Sequence, residues 1–212
     1  MSPRNPDPSP TGPDMAHERA LIRAGAARVA GVDEVGRGPW AGPLVACAAR
    51  LLRPPPPGLD DSKRLTAARR AALEAPLRAA CDWALGVVEA EEIDRLGLGP
   101  AWALALARAV RGLAQPPDHL LIDGRHLPPD LPCPATALVG GDARSASIAA
   151  ASVLAKTWRD RQMVARAARH PGYGWESNKG YGAPAHRAGL AAHGLTPEHR
   201  RSFAPVARLL HP

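Results

Sequence analysis

Two apolar stretches early in the chain, residues 28–33 and 44–52, are joined only by the glycine-rich loop 36–43. A connection that short implies an antiparallel hairpin, because parallel neighbours need a crossover of a dozen or more residues. Helical and strand patterns then alternate. The four prolines of residues 54–57 force an extended linker. Thr66 is placed to cap a helix running to residue 80, which Pro76 is expected to kink or interrupt. Residues 83–90 read as a strand, 91–96 and 100–113 as helices, the second opened by Pro100. Residues 119–123 and 135–139 read as short strands, and 143–168 carry the longest helical pattern, with an unusually small surface over residues 148–155. A hairpin followed by strands interspersed with helices predicts an α/β fold with a mixed sheet.

At 212 residues the chain fits one domain with a small appendage. Residues 1–16 hold Pro3, Pro6, Pro8, Pro10 and Pro13 among polar residues and are expected to form a disordered leader. A short helix is expected over 17–27. The expected catalytic domain spans 17–170, and a helical segment over 171–212 borders the site, with a helix at 184–193. No apolar run reaches membrane-spanning length, and the polar N-terminus lacks the apolar core of a signal peptide. Cys47, Cys81 and Cys133 are far apart and form no CxxC pair, so they read as incidental thiols. These features predict a soluble cytoplasmic protein, and with no self-association motif a monomer is the simplest expectation.

Four acids stand where strands end or a helix begins. Asp33 and Glu34 lie at the end of the first run beside Gly36, Asp123 closes a Leu-Leu-Ile run before Gly124, and Asp142 follows Gly140 and Gly141 ahead of the long helix. Hard divalent cations prefer oxygen ligands, and Mg²⁺ is commonly held by a few carboxylates while phosphates and waters complete its shell. Adjacent strand residues point to opposite faces, so Asp33 and Glu34 share a site only if the strand breaks there. Glu34 can contribute its carboxylate, its carbonyl or both. Each motif alone is equally an ordinary turn or helix cap; their coincidence points to metal-assisted phosphodiester chemistry.

The formal charge of +7 surrounds these acids with basic residues, a balance suited to a polyanionic substrate. The Gly36-Arg37-Gly38 loop allows close backbone approach, with Arg37 available for phosphate or sugar. Lys63 is a candidate phosphate contact. Tyr181 lies between glycines in a chain with five Trp, two Tyr and one Phe, and offers a ring for stacking on sugar or base. His199, Arg200 and Arg201 either bind backbone phosphate or form a basic surface end.

Taken together, DEVGRGPWAGPLV, DSKRL, LLIDG, GDARSASIAAASVLAKTWRDRQM, HPGYGWESNKGYG and TPEHRRSF resemble ribonuclease HII, the type 2 ribonuclease H family, over residues 29–206. The resemblance implies a ribonuclease H-like fold, a mixed five-stranded sheet flanked by helices with a small C-terminal helical segment. It implies Asp33, Glu34, Asp123 and Asp142 as catalytic metal-binding acids using Mg²⁺ or Mn²⁺. It also implies Gly36, Arg37 and Gly38 as the loop sensing the ribose 2′-OH, and Tyr181 as the residue packing at the RNA–DNA junction. The implied reaction hydrolyses the phosphodiester 5′ of a ribonucleotide embedded in duplex DNA, leaving 3′-hydroxyl and 5′-phosphate ends, with RNA–DNA hybrids as the other substrate. Trp158, Trp175 and Ala183 depart from the commoner pattern without removing a metal ligand. Three other readings fit the acids and charge less fully: a nuclease or recombinase for ordinary DNA, a noncatalytic nucleic-acid-binding module, and a basic structural protein.

Overall fold

A computed structural model describes residues 12–210. Five strands, β1 (Val29–Val35), β2 (Leu44–Leu51), β3 (Cys81–Val88), β4 (His119–Asp123) and β5 (Ala135–Leu138), form one sheet in the order β3-β2-β1-β4-β5. The expected hairpin is present: β1 and β2 pair antiparallel with Val35 opposite Val45, and β3 continues antiparallel beside β2. β4 then returns parallel to β1, and β5 parallel to β4, so the sheet is mixed. The helices are α1 (Ala16–Arg23), α2 (Ala67–Ala80), α3 (Ala90–Leu96), α4 (Leu98–Arg111), α5 (Ala146–Arg169), α6 (Trp175–Asn178), α7 (Pro184–His193) and α8 (Ala204–Leu210).

Strand alternation divides the core in two. Ala30, Val32, Leu44, Ala46, Leu120 and Ile122 pack with α3 and α4 on one face. Val45, Cys47 and Ala49 pack with α2 and α5 on the other. Gly31 and Asp33 therefore share the α5 side of β1. There the helix lies almost on the strand backbone: a Cβ on Gly31 would sit 2.2 Å from the Ser147 carbonyl carbon. The fully buried alanines 149, 150 and 151 continue that helix into the core.

Several boundaries differ from expectation for local reasons. Of the leader expected over 1–16, residues 1–11 lie outside the described residues, but the segment is tied down from Asp14 onward. The Asp14 carbonyl accepts from the Ala146 N–H (2.8 Å), and its carboxylate accepts from the Ala16 N–H (2.7 Å). The first helix stops at Arg23, ahead of Gly25 at φ 107°. Pro76 does not break α2, which runs on with Leu73 and Leu77 buried on either side of it. Thr66 caps that helix as expected, its Oγ1 accepting from Arg69 N–H at 3.2 Å. Strand β3 starts directly from α2 at Cys81. Pro100 is the third residue of α4, still in the first turn, where a missing N–H costs no helical bond. The long helix begins at Ala146 with Ser145 as its cap, after a separate 3₁₀ turn Gly141–Ala143 that carries Asp142. The chain after residue 170 packs through its own small cluster of Ala41, Met163, Tyr173, Trp175 and Leu190. All three cysteines are free, and among the described residues no helix is long and apolar enough to cross a membrane.

Candidate active site

The sheet's parallel centre brings three of the four acids to one end. Asp33 near the end of β1 is 6% exposed; it accepts from the Glu34 N–H at 2.7 Å and shares a hydrogen bond with Ser152 of α5. Asp123, closing the neighbouring β4, accepts from the Gly141 N–H at 2.7 Å. The same turn carries Asp142, which is buried and receives the Lys63 ammonium at 2.9 Å. Behind that turn, buried Glu18 of α1 accepts from the Ser145 hydroxyl (2.6 Å) and the Ser147 N–H (2.9 Å), fixing where α5 begins.

Glu34 is placed differently. Strand β1 continues through Val35, so the break that would align Glu34 with Asp33 comes only at Gly36, at φ 91°. Glu34 alternates away from Asp33 along the strand and pairs with Arg37 at 3.4 Å, yet both side chains border one cleft. Its charge still reaches both Asp33 and Asp123.

Burial raises the Asp33 carboxyl well above its ordinary range, and Asp123, Glu34 and Asp142 add to the rise against the Ser152 bond. Asp123 is raised by burial and then by Asp142, with the Gly141 N–H and Lys63 opposing. Lys63 is lowered by burial but raised overall by its bond to Asp142 and by the surrounding acids. Asp61, two residues before Lys63, is also raised by burial, with Asp142 adding to the rise and Lys63 opposing. Mutual repulsion of this kind is what a divalent cation relieves. Among the described residues, however, no three His, Cys, Asp or Glu side chains are grouped so as to hold a metal ion. The oxygen-donor chemistry fits a hard cation, and the carboxylates are hydrogen-bonded to Lys63, the Gly141 N–H and Ser152.

Beside the acids lies a cleft of about 220 Å³ lined by Asp33, Glu34, Val35, Ser62, Lys63, Ser152, Lys156 and Tyr181. Tyr181 is 48% exposed. It faces the loop after β1 closely: a Cβ on Gly38 would meet the Tyr181 ring at 3.4 Å. Gly36 is buried, whereas Arg37 and Gly38 are exposed, with the Arg37 guanidinium 5.2 Å from the Trp102 ring centre.

The structure adds residues that sequence reasoning passed over. Ser152 is the one hydroxyl in the apolar run 148–155, and its Oγ lies 2.8 Å from that of Ser62, itself flanked by Asp61 and Lys63. Lys156 sits one turn further along α5. A correction concerns the C-terminal basic cluster. His199 and Arg200 are 1% and 0% exposed, so neither forms part of a basic surface; of the three, only Arg201 reaches the surface. Arg159 of α5 is equally buried. Burial lowers Arg159 to about 10 and Arg200 to about 9, so both remain cations at neutral pH.

Comparison with known proteins agrees with this geometry. The family model for Ribonuclease HII matches residues 30–206. A Ribonuclease HII from Paracoccus denitrificans is 58% identical over 199 residues, covering 93% of this chain and 95% of the relative. The crystal structure of ribonuclease H2 from Pyrococcus horikoshii superposes with a TM-score of 0.73 at 26% identity, over 86% of this chain and 96% of that one. A ribonuclease HIII, Bst-RNase HIII in complex with Mn²⁺, shares the fold with a TM-score of 0.71 at 22% identity, over 90% of this chain and 71% of that one. With the family model spanning the sheet, the acid-bearing turns and the C-terminal segment alike, the chain belongs to the ribonuclease HII family and is an endoribonuclease.

Proposed function

We propose that the chain is a metal-dependent endonuclease that hydrolyses the phosphodiester 5′ of ribonucleotides embedded in duplex DNA. It also cleaves RNA in RNA–DNA hybrids and leaves 3′-hydroxyl and 5′-phosphate ends. The observation that carries this reading is one cleft that sets the buried Asp33 carboxylate and Glu34 beside Tyr181, whose ring closely approaches Gly38. The acids supply the chemistry, and Gly38 and Tyr181, side by side at the cleft, together present a surface to the sugar.

Asp33, Glu34, Asp123 and Asp142 would hold Mg²⁺ or Mn²⁺; the ion bound by the ribonuclease HIII relative supports the choice of cation class. A bound cation supplies activation of water and charge stabilisation of the leaving oxygen. The protein groups do the rest. Lys63, now held by Asp142, becomes available to a phosphate oxygen when that carboxylate turns away. Gly36, Arg37 and Gly38 present backbone to the ribose while Tyr181, beside them, packs its ring against the sugar. The contacts fall on sugar and phosphate, so discrimination follows sugar identity and not base identity. The enzyme acts as a cytoplasmic monomer, with residues 17–170 as catalytic domain and 171–212 as the segment bordering the site.

Asp33→Asn and Asp142→Asn test the assignment. Each abolishes turnover of a duplex with one embedded ribonucleotide while duplex binding stays measurable. A near-normal rate in Asp33→Asn would sink it.

A further inference from the structure

Arg200 is a fully buried cation with no carboxylate partner among the described residues, an expensive arrangement unless its donors are otherwise satisfied. They are satisfied by the loop after β1. Nη2 donates to the Gly36 carbonyl at 2.7 Å and to Gly42 at 2.8 Å, Nε donates to Gly42 at 3.0 Å, and Nη1 donates to the Arg37 carbonyl at 3.1 Å. Phe203 covers the guanidinium, its ring centre 5.1 Å away. Arg159 takes carbonyls at the loop's far end, Ala41 at 3.2 Å and Pro43 at 2.9 Å.

This arrangement has a directional consequence. No peptide bond here is cis. In a trans peptide the carbonyl and the N–H of one plane point opposite ways. Pulling the Gly36 and Arg37 carbonyls onto a buried guanidinium turns the N–H groups of Arg37 and Gly38 away from it, toward the exposed side. Neither N–H has a hydrogen-bond partner among the described residues.

The preceding residue governs Tyr181. His199 Nδ1 accepts from the Thr196 N–H at 2.9 Å, leaving Nε2–H to donate to His186 Nε2 at 3.0 Å. That nitrogen also accepts from the Trp175 indole N–H at 3.1 Å, so the His186 proton sits on Nδ1 and is donated to the Tyr181 carbonyl at 2.9 Å. The backbone completes the link: His199 bridges Ala41, and the Arg200 N–H donates to the Trp40 carbonyl at 2.8 Å.

We propose that His199 and Arg200 are positioning residues for ribose recognition, Arg200 aiming the Arg37 and Gly38 amides and His199, through His186, setting Tyr181 beside them. This rests on the reading above that the loop and Tyr181 meet the sugar. The two parts of the sugar-reading surface are thus held by consecutive residues of one segment. A lysine at 200 keeps the charge but lacks the planar fork that reaches several carbonyls at once.

The test measures binding in EDTA, where no cleavage occurs, to a DNA duplex with one ribonucleotide and to the same duplex all in DNA. In Arg200→Lys the preference for the ribonucleotide duplex falls about tenfold or more, while all-DNA affinity and the cooperative unfolding transition persist. His199→Phe lowers the preference likewise, and His199→Gln, whose amide can reach the same acceptor, restores much of it; this pair carries the test if Arg200→Lys does not fold. A folded Arg200→Lys, or His199→Phe, with the wild-type preference overturns the inference alone. A wild-type protein without any preference overturns both the inference and the function on which it rests.

Discussion

Replacing Gly31 by alanine tests whether the approach of α5 to β1 sets the site. The new methyl would stand 2.2 Å from the Ser147 carbonyl carbon, 2.3 Å from the Ile148 nitrogen and 2.6 Å from the Ser147 oxygen. All three are backbone atoms, so no side-chain rotation relieves the clash. Ordinary contact begins near 3.4 Å, so helix and strand must separate by roughly 1.2 Å, the difference between 3.4 and 2.2 Å. Overpacking of this kind costs up to about 3 kcal/mol. The stiffer unfolded chain of the alanine variant returns at most about 1 kcal/mol. The net loss of about 2 kcal/mol corresponds to a fall in Tm of roughly 4–8 °C for a chain of this size. Activity falls further than stability, because Asp33 lies two residues along the same strand face and bonds Ser152 on the displaced helix; a misplacement of about 1 Å can cost about a hundredfold in rate. The assay is thermal unfolding by circular dichroism together with single-turnover cleavage at 25 °C. Gly99→Ala is the control: it is exposed in α4 with no atom within 4 Å of the added Cβ, and it leaves rate and Tm unchanged or raises Tm slightly. A Gly31→Ala protein with wild-type Tm and wild-type rate refutes the packing argument.

Three further outcomes are expected. Adding Mg²⁺ or Mn²⁺ relieves the repulsion that raises Asp33 and Asp123 and so raises Tm; saturation about a hundredfold above Kd stabilises by about 2.7 kcal/mol, reversed by EDTA and reduced in Asp142→Asn. Tyr181→Ala loses about 1–3 kcal/mol of stacking, read as a fall in kcat/KM of about 5- to 150-fold, whereas Tyr181→Phe keeps most of it. Burial lowers His199 from 6.5 to about 4, with His186 and His170 adding to it, so the unfolded chain binds the proton more tightly. The contribution of neutral His199 is therefore present above pH 6.5 and lost as pH falls toward 4. The carboxyls of Asp33 and Asp123 titrate with the opposite sign, so the readout is the difference in Tm between wild type and His199→Gln at each pH, which narrows between pH 6.5 and 4.

What could be read from the chain follows the range of the forces involved. The β1–β2 hairpin, strand His119–Asp123 and the Thr66 cap are determined by neighbours a few residues apart, and local pattern suffices to find them. Pro76 misleads because burial of Leu73 and Leu77 holds α2 together where proline propensity alone would break it. Arg200 misleads more seriously: an Arg-Arg pair near a chain end reads as surface, and only the folded loop supplies the carbonyls that make its burial tolerable. Ser152 is visible in hindsight as a lone hydroxyl in an apolar run, but its reach to Asp33 depends on where α5 crosses β1. Asp123 and Asp142 are legible from the glycine beside each, while Asp33 lies two residues inside its strand's end; the hydrogen-bond partners of Asp123 and Asp142 are not legible, because they depend on Lys63 and Gly141.

The most direct measurement is cleavage of three end-labelled duplexes, all-DNA, DNA with one embedded ribonucleotide, and RNA–DNA hybrid, each with Mg²⁺, Mn²⁺ or EDTA. The account predicts cutting on the 5′ side of the single ribonucleotide and within the RNA of the hybrid, only with metal, and an intact all-DNA duplex. Cutting of the all-DNA duplex at a comparable rate, or no cutting of any duplex by the folded protein, contradicts it.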